Sequence, residues 1–200
     1  MAINMDYDYS FTKDDIDYGV VKGDHRIVFV KTGLGGNHVG YENTYLIMAR
    51  QLHGKYGCSV IVSSNPHDGR DHVKQNKEVI QQYAENERLE SPELFFFGHS
   101  NGGVKGLLLA CAGVAFRKMI LVNMPLMINF HKTKRYISEI PQTEILAVYG
   151  EKDPSYPYIP LLEGRAENLS VQALPRADHN FRGMMQELID LSDWLLEGDL

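Results

Sequence analysis

The chain has 200 residues, enough for one domain with a substantial core, and its 44% hydrophobic and 23% charged residues are ordinary for a soluble globular protein. Its formal net charge of −6 argues against nucleic acid as a main partner, because phosphate binding requires an excess of lysine and arginine. There is no basic-then-apolar leader, no apolar run of membrane-spanning length and only two cysteines, so we predict a cytoplasmic protein without membrane association.

Strand-like and helix-like segments alternate along the first half of the chain. Residues 26–31, 59–63 and 94–97 are rich in β-branched or aromatic side chains and predict strands. Between them, apolar residues at helical spacing predict helices over residues 41–53 and 71–88. This alternation is typical of a parallel sheet covered by helices on both faces.

The second half of the chain continues the same pattern. Further strands are predicted at residues 118–122, 144–149 and 169–174, the last with the alternation of an edge strand. Helices are predicted at residues 101–111, 155–163 and 181–197. We therefore predict one α/β domain over residues 1–200, with a mostly parallel sheet of at least six strands, helices on both faces and a minimal lid.

One stretch, residues 123–142, departs from the alternation. It lies between two predicted strands and contains two prolines. Two explanations fit this stretch equally well. It forms a small lid or excursion over a functional site, or it is a plain long connection.

The most informative segment is the predicted strand at residues 94–97 with the motif that follows it. The strand leads directly into G-x-S-x-G, here Gly98-His99-Ser100-Asn101-Gly102, and then into a helix. A serine on such a strand-to-helix turn presents its hydroxyl above the sheet, and the helix N-terminus favours developing negative charge. Ser100 is therefore a candidate nucleophile, and the alternative is a glycine-rich turn that only packs.

A serine nucleophile needs a base, and the base is usually a histidine oriented by a carboxylate. In parallel sheets such groups follow the carboxyl ends of strands. Asp153 lies in the turn after the strand at residues 144–149, and His179 lies in the loop after the next strand. Glu151 and Asp178 are competing acids, and Asp153 has a structural alternative as a turn or helix-cap residue.

An oxyanion hole requires two backbone N–H groups. One is expected from Asn101, the residue after the serine, and the other from the glycine-rich loop at residues 32–38. Leu34 is the preferred donor in this loop, with Gly33 or Gly35 next.

The same loop fails as a phosphate cradle. A dinucleotide fingerprint would require glycine at His38, and a P-loop would require lysine at Tyr41. No cysteine–histidine cluster has zinc spacing, and the histidines and aspartates within residues 67–72 are interpreted as a polar loop and helix cap. We therefore predict neither a cofactor nor a metal.

With G-H-S-N-G-G, G-E-K-D-P and A-D-H-N-F in this order, the chain resembles the α/β-hydrolase superfamily over residues 26–200, and most of all its small bacterial serine esterases and carboxylesterase-like hydrolases. The resemblance implies Ser100 as nucleophile, Asp153 as acid and His179 as base. Many members have His-Gly where this chain has Thr32-Gly33. Two antiparallel strands usually lead such a sheet: residues 6–21 supply one or both, or the sheet begins at residue 26.

The sequence thus predicts a serine hydrolase that cleaves a small-molecule carboxylic ester or thioester through an acyl-enzyme, as a monomer or homodimer. Two alternatives remain open: an acyltransferase or amidase with the same triad, and a non-catalytic binding protein on the same fold. Candidate substrate-pocket residues are Gly33, His99, Met124 and Tyr156, although the side chain of His99 is expected to point away from the nucleophile.

Overall fold

Eight strands form the centre of the protein in the computed structural model, which describes residues 6–198. In chain order they are β1 (Tyr9–Lys13), β2 (Ile16–Val21), β3 (Arg26–Lys31), β4 (Ser59–Ser63), β5 (Glu93–His99), β6 (Phe116–Val122), β7 (Glu144–Gly150) and β8 (Leu169–Leu174). They lie in one sheet in the order β1-β2-β4-β3-β5-β6-β7-β8. β2 is antiparallel to both β1 and β4, and the remaining neighbours are parallel. The predicted mostly parallel sheet is confirmed, and residues 6–21 supply both leading strands.

Helices cover both faces of the sheet, as predicted. They are α1 (Thr44–Tyr56), α2 (Val73–Asn86), α3 (Asn101–Cys111), α4 (Leu126–Glu139) and α5 (Met185–Asp190), with 3-10 helices at Tyr41–Asn43, Tyr156–Leu161 and Leu191–Leu195. Side chains along β3 alternate between two apolar cores, with Ile27 and Phe29 in one and Val28 and Val30 in the other. Helices α2, α3 and α4 pack on the first core, and α1 and α5 pack on the second.

Two helices begin later than predicted because the residue before each adopts a left-handed backbone. Asn43 has φ 62° and His72 has φ 60°, so α1 begins at Thr44 and α2 at Val73. The short helix predicted over residues 155–163 is a 3-10 helix with Pro160 inside it.

The prediction of one closing helix over residues 181–197 was wrong in two respects: the α-helix begins later, and its second half is a 3-10 helix. Phe181 and Gly183 have φ values of 53° and 70°, which no α-helix accommodates, so α5 begins only at Met185. A 3-10 helix at Leu191–Leu195 follows it directly. The apolar side of this segment still packs on the sheet, because Leu188, Leu195 and their apolar neighbours join the second core.

Residues 123–142 contain α4, which connects the parallel strands β6 and β7. Its buried side faces the first core through Leu126 and Ile137. A lid function for this segment stays a prediction.

Both cysteines are free thiols, Cys58 buried and Cys111 half-buried. Within residues 6–198, no helix has the length and apolar character needed to cross a membrane.

Lys31 is a fully buried cation at the carboxyl end of β3. Its Nζ donates hydrogen bonds to Ser63 Oγ at 2.9 Å and to the carbonyl oxygen of Ser64 at 2.6 Å. Burial, with a smaller contribution from the charge of Lys105, lowers the pKa of Lys31 to about 7. Because the unfolded chain keeps the ordinary lysine value, it binds this proton more tightly than the folded protein does.

This proton linkage predicts that stability rises with pH just above neutrality. Between pH 7 and 8.5 the unfolded state holds the Lys31 proton while the folded state releases it, so the free energy of unfolding should increase by about 1.5 kcal/mol. Lys31→Met removes the titrating group and should remove this increment. Urea unfolding of both proteins at the two pH values measures it, and parallel pH slopes in the two proteins would refute the assignment.

Candidate active site

Ser100 sits on a tight turn between β5 and α3. Its backbone adopts φ 55° and ψ −125°, and its N–H donates to the carbonyl oxygen of Val122 at 2.7 Å. The flanking glycines are required by close contacts: a β-carbon on Gly102 would collide with the carbonyl oxygen of Lys31, and one on Gly98 would lie 2.7 Å from the nitrogen of Gly103. The sequence folds this way because only glycine lets α3 approach β3 and β5 so closely.

Three side chains predicted separately from the sequence are joined by hydrogen bonds here. Ser100 Oγ lies 2.9 Å from His179 Nε2, and His179 Nδ1 lies 2.5 Å from Asp153 Oδ2. The Asp153 side chain is 1% exposed and that of His179 is 37% exposed, so the carboxylate is buried while the imidazole reaches solvent. Because the carboxylate accepts a hydrogen bond from Nδ1–H, the proton of the neutral ring stays on Nδ1, and Nε2 is free to accept from the serine hydroxyl.

The neighbouring acids have other partners. Glu151 Oε2 accepts from the N–H of Arg176 at 2.9 Å, and Asp178 Oδ1 accepts from the N–H groups of Asn180 and Arg182, each at 3.0 Å. Asp153 is held in place by the N–H of Ser155, which donates to its Oδ1 at 2.7 Å. Of the three candidate acids, Asp153 is the one hydrogen-bonded to His179.

Of the candidate oxyanion donors in the loop after β3, Gly35 is occupied and Leu34 is free. Gly35 N–H donates to the carbonyl oxygen of Asn65 at 2.7 Å, and the N–H of Gly33 partly offsets the rise that burial causes in the pKa of the Tyr45 hydroxyl. In the part of the chain that the structure describes, the N–H groups of Leu34 and Asn101 have no acceptor. Leu34 follows Gly33, where an added β-carbon would lie 3.4 Å from Cβ of Ser100, so this loop passes beside the serine.

Two buried asparagines that were not predicted from the sequence support this geometry. Asn65 donates to the carbonyl oxygen of Thr32 at 3.0 Å and to Asn101 Oδ1 at 3.3 Å, and so links the loop after β3 to the start of α3. Asn123 accepts from the N–H of Gly150 at 2.9 Å and donates to the carbonyl oxygens of Asp178 and His179, each at 3.1 Å. Their positions just beyond β4 and β6 are the signal that could have identified them.

The candidate pocket residues lie at different depths. Gly33 lies beside Ser100, Tyr156 is half-buried at the start of the 3-10 helix after β7, and Met124 is fully buried against α3. His99 is buried, and its ring contacts the Tyr45 hydroxyl and the backbone of His179. Both ring nitrogens of His99 therefore have partners within the protein, and a substrate-pocket role for His99 stays a prediction.

In shape the chain is similar to Est1E from Butyrivibrio proteoclasticus, with a TM-score of 0.75 and 12% identity over 94% of this chain and 97% of that one. It is also similar to a dienelactone hydrolase from Anabaena variabilis (TM-score 0.69, 17% identity, 95% of each chain). A third similar structure is an α/β serine hydrolase homologue from Coxiella burnetii (TM-score 0.67, 14% identity, 92% of this chain and 95% of that one). No family model and no curated protein matches the sequence. The chain therefore has the α/β-hydrolase fold.

Proposed function

We propose that the protein is a serine hydrolase that cleaves a carboxylic ester or thioester. The observation that carries this proposal is the continuous hydrogen-bonded line from Ser100 Oγ through His179 to the buried carboxylate of Asp153. A serine hydroxyl is a weak nucleophile at neutral pH, and this arrangement supplies the base that activates it. One of the similar structures is named a dienelactone hydrolase, and a lactone is a cyclic ester.

The reaction follows from the positions of these groups. Ser100 Oγ attacks the acyl carbon as His179 Nε2 takes its proton, and the N–H groups of Leu34 and Asn101 stabilise the oxyanion. The tetrahedral intermediate collapses, the bond to the leaving group breaks, and His179 gives its proton to the departing alcohol or thiol. Water, deprotonated by His179, then attacks the acyl-enzyme and releases the acid and the free serine.

Exposed apolar side chains that follow the strand ends at the edge of the sheet carrying Ser100 favour a substrate with an apolar group. Leu34 follows β3, Met127 and Ile128 lie in the first turn of α4, and Tyr158 and Leu161 lie after β7. All five are exposed, with Ile128 at 77%, and all follow the carboxyl ends of parallel strands, the same edge of the sheet as Ser100. Apolar surface gathered at one edge is typical of a binding site.

A matched series of chromogenic substrates tests the proposal. We expect p-nitrophenyl esters to be hydrolysed, with kcat/KM increasing from acetate to longer acyl chains, and a butyryl thioester to be cleaved as well. The p-nitroanilide of the same acyl group is the matched control for amidase activity. Faster cleavage of the anilide would contradict the esterase assignment, and so would an acyl-enzyme that is released only by an added alcohol or amine.

The pH profile of ester hydrolysis should have an acid limb. A base must be unprotonated to accept the serine proton, so kcat/KM should decline toward acid pH. Rates measured with p-nitrophenyl butyrate between pH 4.5 and 8.5 show this directly. A rate that stays flat down to pH 4.5 would argue against a histidine base.

A further inference from the structure

His99 directly precedes Ser100 but has no part in the reaction above. The residue is 8% exposed, and both ring nitrogens have partners. Nε2 lies 2.8 Å from the carbonyl oxygen of His179, and Nδ1 lies 3.0 Å from the hydroxyl oxygen of Tyr45. A carbonyl oxygen can only accept, so Nε2 carries the proton and Nδ1 accepts from Tyr45. Burial lowers the pKa of His99 to about 4, so the ring is neutral at physiological pH.

Tyr45 extends this contact to the loop that supplies the oxyanion donor. Its hydroxyl is buried, and the N–H of Gly33, the residue before Leu34, partly offsets the rise that burial causes in its pKa. A line of polar groups therefore runs from Gly33 N–H to the Tyr45 hydroxyl, and from there through the two hydrogen bonds of the His99 ring to the carbonyl oxygen of His179. We call these four groups the buried relay.

His179, at one end of the buried relay, lies in a loop with no regular secondary structure. Between β8 and α5 the chain passes through left-handed conformations at Arg176 and Phe181, so no helix or sheet ladder fixes His179. The carbonyl oxygen of His179 is instead held from two strands, by His99 at the end of β5 and by Asn123 just after β6. Because this carbonyl and the imidazole belong to the same residue, a shift of the carbonyl moves the base.

We propose that His99 is a positioning residue that, as a neutral Nε2–H donor, holds the backbone of His179 where its imidazole meets both Ser100 and Asp153, and that links this loop through Tyr45 to the oxyanion loop. The inference rests on the proposed function, because it concerns the same reaction. His99, the residue before the nucleophile, takes part in no reaction step, and its proposed role is to position the base. A displacement of about 1 Å at a reacting group can cost about a hundredfold in rate.

Two substitutions at His99 separate hydrogen bonding from packing. His99→Leu fills the site but removes the donor, whereas the amide of His99→Gln can donate from about the position of Nε2. For p-nitrophenyl ester hydrolysis we expect the leucine variant to lose at least about tenfold in kcat with little change in KM, and the glutamine variant to recover most of this loss. Equal losses in two folded variants, or a leucine variant with wild-type kcat, would overturn the proposal.

Tyr45→Phe provides a second variant in case the leucine protein does not fold. It removes the hydroxyl at the middle of the buried relay and keeps the ring, so we expect a smaller loss in kcat than with His99→Leu. An unchanged kcat in this variant would overturn the link to the oxyanion loop.

Nitrogen NMR of the wild-type protein tests the buried relay without using turnover. The ¹⁵N shifts of His99 should show the Nε2–H tautomer, with no imidazolium, from pH 5.5 to 8. An Nδ1–H tautomer or an imidazolium at pH 7 would overturn the inference even in an active enzyme. Conversely, a wild-type protein with this tautomer but no hydrolytic activity would contradict the proposed function and leave the relay geometry intact.

Discussion

Replacing Ser100 with alanine is expected to abolish ester turnover and leave the fold intact. Turnover depends on an oxygen at this position, because the acyl group must be bonded to Oγ before water can release it. We expect kcat to fall by about five to six orders of magnitude, the scale seen when a serine hydrolase loses its nucleophile.

The stability of the Ser100→Ala protein should stay close to that of the wild type. Oγ has its hydrogen bond to the half-exposed His179 ring, so its removal should change the free energy of unfolding by less than about 1 kcal/mol. Ser138→Ala is a matched control, since that exposed hydroxyl donates to the carbonyl oxygen of Arg135 in its own helix. The test is the rate of p-nitrophenyl butyrate hydrolysis by the wild type, Ser100→Ala and Ser138→Ala. Measurable turnover by a folded Ser100→Ala protein would disprove the assignment of Ser100 as the nucleophile.

Asp153→Asn should be the next most damaging change. The carboxylate accepts from His179 Nδ1 at 2.5 Å and from the N–H of Ser155 at 2.7 Å, so it keeps the ring in the tautomer that leaves Nε2 free. An amide N–H₂ at this position favours the opposite tautomer, in which Nε2 carries the proton and cannot accept another. We expect kcat to fall by about 10³- to 10⁴-fold, as in other triads with this substitution.

Glu151→Gln is the matched control for the acid, two residues earlier in the same turn. Glu151 accepts a backbone N–H from Arg176 and has no contact with His179, so its amide variant should retain close to wild-type kcat. The kcat of both variants is measured with one ester. If Glu151→Gln were inactive and Asp153→Asn active, Glu151 would be the catalytic acid.

The central strands could be predicted because their signals are local. Buried strands such as β3 and β5 are continuous apolar runs, and the turn after β5 carries its own glycines. Helix boundaries were less predictable, because left-handed residues such as Asn43, His72 and Phe181 carry side chains that do not require this conformation. The sequence therefore does not show at which residue such a helix begins.

The candidate triad could be predicted for the same reason, since each of its members follows the end of a strand. The supporting groups could not. Tyr45 lies 54 residues from His99 in the chain, and the carbonyl oxygen that His99 contacts lies 80 residues away. The sequence position of His99 beside Ser100 does not reveal that its ring contacts the backbone of His179.

Labelling with a fluorophosphonate probe, followed by peptide mass mapping, tests the central claim most directly, because the probe reports an activated serine without requiring the substrate. The wild-type protein should carry one adduct, on Ser100, and both Ser100→Ala and Asp153→Asn should label far more slowly or not at all. A folded wild-type protein that takes up no probe, or takes it up at another serine, would contradict the hydrolase assignment and favour a binding protein that retains the hydrolase fold.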